Sequence, residues 1–115
     1  MVENLLNRQF NVKEANEAWV SDLTYVHTQE GWVYLTTVVD LFDRKIISWA
    51  LSHTMMAKET SVADFKMTLQ NRPLNTSKPL LFHSDRGIQY ACEEFTTEVE
   101  KYKNINRSMS RKGNS

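Results

Sequence analysis

The sequence predicts an α/β fold, a mixed five-stranded sheet flanked by helices. Three runs dense in aromatic and β-branched residues follow one another through the first half, separated only by short polar breaks, and read as successive strands. Near Ala57 the apolar period changes to spacings of three and four, the mark of an amphipathic helix. Beyond that helix a short apolar run, Leu80-Leu81-Phe82, opens into His83-Ser84-Asp85-Arg86-Gly87-Ile88-Gln89-Tyr90. An acidic residue delivered at the end of a buried strand sits where α/β folds place their chemistry.

Residues 1–17 are polar, with scattered Leu5, Leu6, Phe10 and Val12, and read as an arm or linker; 18–115 form the domain. The first strand runs from about Ala18 to His27, and Gln29-Glu30-Gly31 turns the chain. Trp32 to Asp40 is the second strand, its core Val33 to Val39 rich in β-formers. Asp43-Arg44-Lys45 turns the chain again into a third strand, Ile46 to Leu51. Connections this short between neighbouring strands imply an antiparallel meander.

The helix that follows carries Val62, Phe65 and Leu69 on one face and ends near Asn71. Arg72-Pro73 stops it, because proline cannot continue the ladder and disfavours helical backbone at the residue before it. Asn75 to Pro79 is a loop. Leu80 to Ser84 is a fourth strand without alternation, as expected where both faces are covered. A second helix begins near Cys92 and aligns Cys92, Phe95, Val99 and Tyr102. Asn104 to Met109 is a short fifth strand, and Arg111 to Ser115 a loop. The crossover from the third strand to the fourth suggests a parallel pairing of the fourth with the first. That pairing would make neighbours of Asp85 and Asp22.

With 115 residues the chain holds one domain with a single core. Lysine and arginine total 14, as do aspartate and glutamate, so no global charge announces a polyanionic partner. The distribution is uneven: Lys101, Lys103, Arg107, Arg111 and Lys112 follow the glutamates Glu93, Glu94, Glu98 and Glu100. That basic end is either a solvated face or a phosphate-contacting edge. Cys92 is the only cysteine, which excludes an intramolecular disulfide and a cysteine-built zinc site and fits a reducing compartment. No run approaches the roughly 18 apolar residues of a membrane span, and no signal-peptide pattern opens the chain, so a soluble intracellular protein is expected.

Two carboxylates side by side either share a proton or hold a cation. Mg²⁺ suits such a pair, because it takes one or two protein carboxylates and completes its octahedron with water and phosphate oxygens. The alternative for Asp85 is a plain turn residue before Arg86-Gly87. Asp22 interrupts a β-rich run, which costs strand propensity and calls for a reason. Asp40 and Asp43 read as turn formers, His83 as a hydrogen-bonded histidine, Cys92 as a small core group, and Gly87 as a positive-φ turn residue. Trp19, Trp32 and Trp49, each on a strand, are expected in the core.

The segments WVSDLTYV, GWVYLTTVVDLFDRKIISWAL and HSDRGIQY, in this order, closely resemble the catalytic core of bacterial insertion-sequence transposases, whose core is similar to that of retroviral integrases. The resemblance runs from about Leu5 to the last residue. It implies a ribonuclease-H-like fold, divalent metal (Mg²⁺ or Mn²⁺), and cleavage and joining of DNA strands at transposon ends. Of the family's two aspartates and one glutamate, the first aspartate matches Asp22 and the second Asp85, as catalytic and metal-binding residues.

The glutamate of that triad matches nothing here: Glu98 and Glu100 fall too early, and in the family it stands on a helix beyond the segment that resembles the end of this chain. The resemblance therefore implies a core cut on both sides, its C-terminal helices missing, with weakly bound or absent metal and no competent activity alone. It implies transposon-end and target DNA as partners, with Arg86, Lys101, Lys103, Arg107, Arg111 and Lys112 as contacts, self-association through uncovered apolar surface, no membrane, and a bacterial cytoplasmic, nucleoid-associated location. The competing readings are a non-catalytic DNA-binding or regulatory module that pairs with a full-length transposase, and a cellular ribonuclease-H-like nuclease, which would need a third acid within the chain.

Overall fold

A computed structural model describes residues 12–110. Most of the expected N-terminal arm, and Arg111 and Lys112, lie outside the described residues. Strands β1 (Ala18–Thr28), β2 (Gly31–Asp40) and β3 (Lys45–Ser52) form the meander. The turn between the first two rests on Gly31 at φ 113°, a left-handed conformation that side chains disfavour. A single 3-10 turn, Ala57–Glu59, leads into helix α1 (Ser61–Asn71), and β4 (Leu80–Ser84), α2 (Ile88–Ala91), α3 (Glu93–Val99) and β5 (Ile105–Met109) follow. The strand order is β3-β2-β1-β4-β5. The two pairings inside the meander are antiparallel, and β4 runs parallel to both β1 and β5. The expected mixed five-stranded sheet and its crossover are present.

Alternation along the strands gives the sheet two unlike faces. Trp19, Val38, Leu80, Phe82 and Ile105 share one buried cluster with Val62 and Phe65 of α1, Tyr90 of α2, and Phe95 and Val99 of α3. Phe65 is the hub: its ring meets Phe82, Phe95 and Tyr102 edge to face at 5.7–5.8 Å. Truncating such a residue costs about 3–5 kcal/mol. Among the described residues the other face holds a small cluster, Ala18 and Leu41 with Val12, Val20 and Leu81.

Directly paired residues on adjacent strands share a face. Trp49 pairs with Thr37 and Thr37 with Asp22; Leu51 pairs with Leu35 and Leu35 with Thr24. Ile46, Trp49 and Leu51 are exposed on this second face of β3. Trp32, in the β1–β2 hairpin, is also exposed and packs its ring against Tyr25 and His27. Only Trp19 of the three tryptophans is therefore in the core, because β-propensity does not tell which face of a strand the rest of the protein covers.

The expected second helix is α3, which starts just after Cys92 as anticipated, and the short α2 before it was not foreseen. Cys92 is extended at ψ 161° and separates α2 from α3, while Phe95, Val99 and Tyr102 pack as anticipated. No helix among the described residues is long and apolar enough to cross a membrane.

Candidate active site

The parallel pairing of β1 with β4 sets the geometry. Ala18 pairs with Leu81, Trp19 with Phe82, and Val20 with His83. Asp22 lies two positions past Val20 and Asp85 two positions past His83, so the register carries both aspartates to the same end of the same pair of strands. Trp19 and Leu23 point at the helices and Val20 at the second cluster, so Asp22 shares the sparsely covered face with Val20. Both aspartates are exposed.

Local chemistry shapes the Asp85 end. The Gly87 N–H donates to Asp85 Oδ1 at 2.7 Å, so Asp85 does close a turn, as one reading of the sequence has it. Gly87 itself has φ −55° and ψ 155°, which corrects the expected positive φ. Its need is space: a Cβ there would lie 2.9 Å from Asp85 Oδ1. His83 is buried between two hydroxyls, Nδ1 2.8 Å from Ser108 Oγ and Nε2 3.1 Å from Ser110 Oγ. Burial lowers its pKa, and the Asp85 charge partly restores it.

Behind the aspartates lies a buried layer that sequence reading missed. Tyr90 of α2 is fully buried, and its hydroxyl sits 2.7 Å from Ser21 Oγ, next to Asp22 in the chain. Burial pushes the phenol pKa up; the Ser21 hydrogen bond opposes this, and the charges of Asp22, Asp85 and Asp64 add to it. One phenol therefore senses both site aspartates. The available signal was that a tyrosine bound for the core needs a hydroxyl partner.

Asp64 is the other omission. It stands on the buried face of α1 with Ser61, Phe65 and Thr68, and neither carboxylate oxygen finds a close hydrogen-bond donor among the described residues. Burial raises its pKa to about 7, with the Ser48 hydroxyl opposing. The helical period that placed Phe65 inside also places Asp64 there.

The candidate DNA contacts divide. Arg86, Lys101 and Lys103 are exposed, with Lys101 Nζ 3.1 Å from Glu98 Oε1. Arg107 turns inward, which removes it from that set: its guanidinium donates to the Tyr90 carbonyl and to Thr96 Oγ1 and stacks over the Phe95 ring at 5.0 Å. Asp40 closes its turn by accepting the Phe42 N–H and is also held by Arg72.

Comparison with known proteins agrees with this architecture. The integrase core domain family model matches residues 12–115. An uncharacterized 31 kDa protein of insertion element IS600 from Shigella sonnei is 40% identical over 111 residues, 96% of this chain and 39% of that protein. The transposase InsF for insertion sequence IS3A from Escherichia coli is 38% identical over 113 residues, 96% of this chain and 37% of that protein. The chain thus spans less than two fifths of these curated relatives.

Among solved structures, the HTLV-2 integrase catalytic core domain in complex with magnesium superposes with a TM-score of 0.66 at 24% identity, covering 83% of this chain and 60% of that one. A chain of the simian T-cell lymphotropic virus intasome in complex with PP2A regulatory subunit B56 gamma gives 0.69 at 18% identity, covering 84% of this chain and 32% of that one. These likenesses show the ribonuclease-H-like fold. With a family model matching nearly its whole length, the chain belongs to the integrase core domain family.

Proposed function

We propose that the chain forms the catalytic core of a DNA transposase, with Asp22 and Asp85 as its metal-binding carboxylates. The observation that carries this reading is the common offset of the two aspartates from the Val20–His83 pair. Hard oxygen donors exposed at one end of the β1–β4 pair fit Mg²⁺ or Mn²⁺, with water completing the coordination. Such an ion would supply activation of a water or a 3′-hydroxyl and charge stabilisation at phosphorus. The protein's part is to hold the two carboxylates at a fixed spacing and leave the face open to a DNA backbone. Arg86, exposed beside Asp85, would meet phosphates of transposon-end or target DNA there, whereas Lys101 and Lys103 precede β5 at the far end of β4 and would meet a backbone only away from the aspartates.

Among the described residues no group of three or more His, Cys, Asp or Glu side chains could hold a metal. Two carboxylates alone leave the ion mostly to water, so binding is weak and the chain alone does not cut. The same observation favours a second reading, a non-catalytic DNA-binding or regulatory module that pairs with a full-length transposase. The apolar Ile46, Trp49 and Leu51 on the open face suit such pairing or self-association.

A labelled DNA strand incubated with the chain and Mn²⁺ separates the readings, beside a Mn²⁺ titration followed by water-proton relaxation. Weak Mn²⁺ binding that Asp22→Asn and Asp85→Asn each abolish is the expected result, with no cleavage. Cleavage lost in Asp22→Asn would leave the metal site standing and refute inactivity. Binding indifferent to both substitutions would overturn the metal-site assignment and leave the module reading.

A further inference from the structure

We propose that Tyr90 is a positioning residue for the metal site, setting the spacing between Asp22 and Asp85 through its hydrogen bond to Ser21. The inference rests on the metal-site reading above and adds a residue to it. Asp22 and Asp85 stand on segments far apart in sequence, and the paired register of β1 with β4 ends at Val20 and His83, short of both aspartates. Among the described residues the paired register goes no further, so a contact beyond it contributes to the spacing of the two aspartates. Asp85 leads through the turn that its own carboxylate closes into α2, and Tyr90 lies in that helix. The Tyr90 hydroxyl reaches back to Ser21 Oγ at 2.7 Å, so the segment after Asp85 is tied to the residue before Asp22.

The inner side of α2 is anchored to several other elements. Gln89 donates to the Met55 carbonyl at 3.2 Å and accepts, through its own carbonyl, from the Ser61 hydroxyl. The Tyr90 carbonyl accepts from Arg107, and the Tyr90 ring meets Phe95 edge to face at 5.4 Å. The phenol is fully buried, with its hydroxyl on Ser21. Ser21 points toward the helices and Asp22 toward the open face, so a hydrogen bond formed inside the core fixes a carboxylate outside it. Outer-shell hydrogen bonds of this kind orient metal ligands and tune affinity.

Mn²⁺ titrations on the full chain test this, using the parent, Tyr90→Phe, Ser21→Ala, their combination, Asp22→Asn and Val99→Ala. Groups bonded directly to ligands typically cost 10- to 100-fold in metal affinity when removed, and this bond acts one step further out. Tyr90→Phe and Ser21→Ala are each expected to weaken Mn²⁺ binding by about 3- to 10-fold, and the combination by no more than either alone. Val99→Ala, a core truncation in α3, is expected to lower the melting temperature without changing Mn²⁺ affinity.

Unchanged affinity in Tyr90→Phe and Ser21→Ala, with Asp22→Asn abolishing binding, would overturn the positioning role and spare the metal site. Additive losses, or an equal loss in Val99→Ala, would also overturn it by showing general destabilisation. Binding indifferent to Asp22→Asn would overturn the metal site and the positioning role together. Should Tyr90→Phe fail to fold, Ser21→Ala, which leaves the aromatic core intact, decides alone.

Discussion

Arg72, just past the end of α1, places Nη1 2.9 Å from Oδ2 of the fully buried Asp40 at the end of β2. The same nitrogen donates to Asn16 Oδ1 at 2.7 Å, and Asp40 also accepts the backbone N–H groups of Asn16 and Phe42. One carboxylate thus joins the entry to β1, the β2–β3 turn and the helix exit. Removing one partner of a buried pair usually costs about 3–5 kcal/mol. The backbone donors that remain on Asp40 reduce this, so Arg72→Ala is expected to lower unfolding free energy by about 2–3 kcal/mol in urea titrations.

Gly87→Ala separates site geometry from stability. The backbone at Gly87 is open to any residue, but the added methyl would press on Asp85 Oδ1. A carboxylate end swings away cheaply, so a stability change below about 1 kcal/mol is expected. Mn²⁺ affinity is expected to fall by about tenfold as the displaced carboxylate leaves its partner. Calorimetric melting and the relaxation titration read the two effects independently.

Asp64 makes stability depend on pH. Its folded pKa, about 7, lies above the ordinary carboxylate value of 3.8, so the folded state binds the proton more tightly. Below the lower value both states are protonated and there is no penalty; as pH rises toward 7 the unfolded chain sheds its proton first and stability falls. The loss levels off above the folded pKa, at up to about 4 kcal/mol. Asp64→Asn, which cannot ionise, is expected to be more stable than the parent at pH 8 by about 2–4 kcal/mol. That advantage should vanish near pH 4. Urea midpoints at the two pH values check it, and the titration of His83, common to both proteins, cancels in the comparison.

Arg107 and the exposed lysines should behave oppositely in DNA binding. Arg107→Met leaves the Tyr90 carbonyl and Thr96 without their donor, at an expected cost of about 1–3 kcal/mol in stability. It should leave the salt dependence of DNA binding unchanged. Lys101→Ala with Lys103→Ala should reduce the slope of log affinity against log salt by about 1–2 and hardly alter stability. Fluorescence anisotropy across a salt series measures both.

The strands were readable because β-rich runs broken by turn residues leave little choice: Leu80–Ser84 matches its expected bounds, and the other strands shift by one residue at their ends. The parallel pairing of β1 with β4 followed from connection rules. What could not be read is which face a strand shows to what. Trp49 and Trp19 have the same local pattern, yet one is on an edge strand and the other in the middle of the sheet. The Tyr90–Ser21 bond, the inward Arg107 and the unpaired Asp64 depend on elements that meet only in space, and no local spacing encodes them. The short α2 that carries Tyr90 into the core, ahead of the helix expected from Cys92, is too brief for a helical period to reveal.

The strand order also sets a sequence of events during folding. Gln29-Glu30 is all that separates β1 from β2, and a single turn separates β2 from β3, so the meander closes through short loops at little entropic cost. The parallel pairs of β4 with β1 and β5 form only after the crossover through α1 has been closed, and such non-local pairings slow folding. Asp22 therefore reaches its final surroundings early, on a hairpin, and waits for Asp85 to arrive with β4. The two aspartates come to the same end of the sheet only when its parallel half forms.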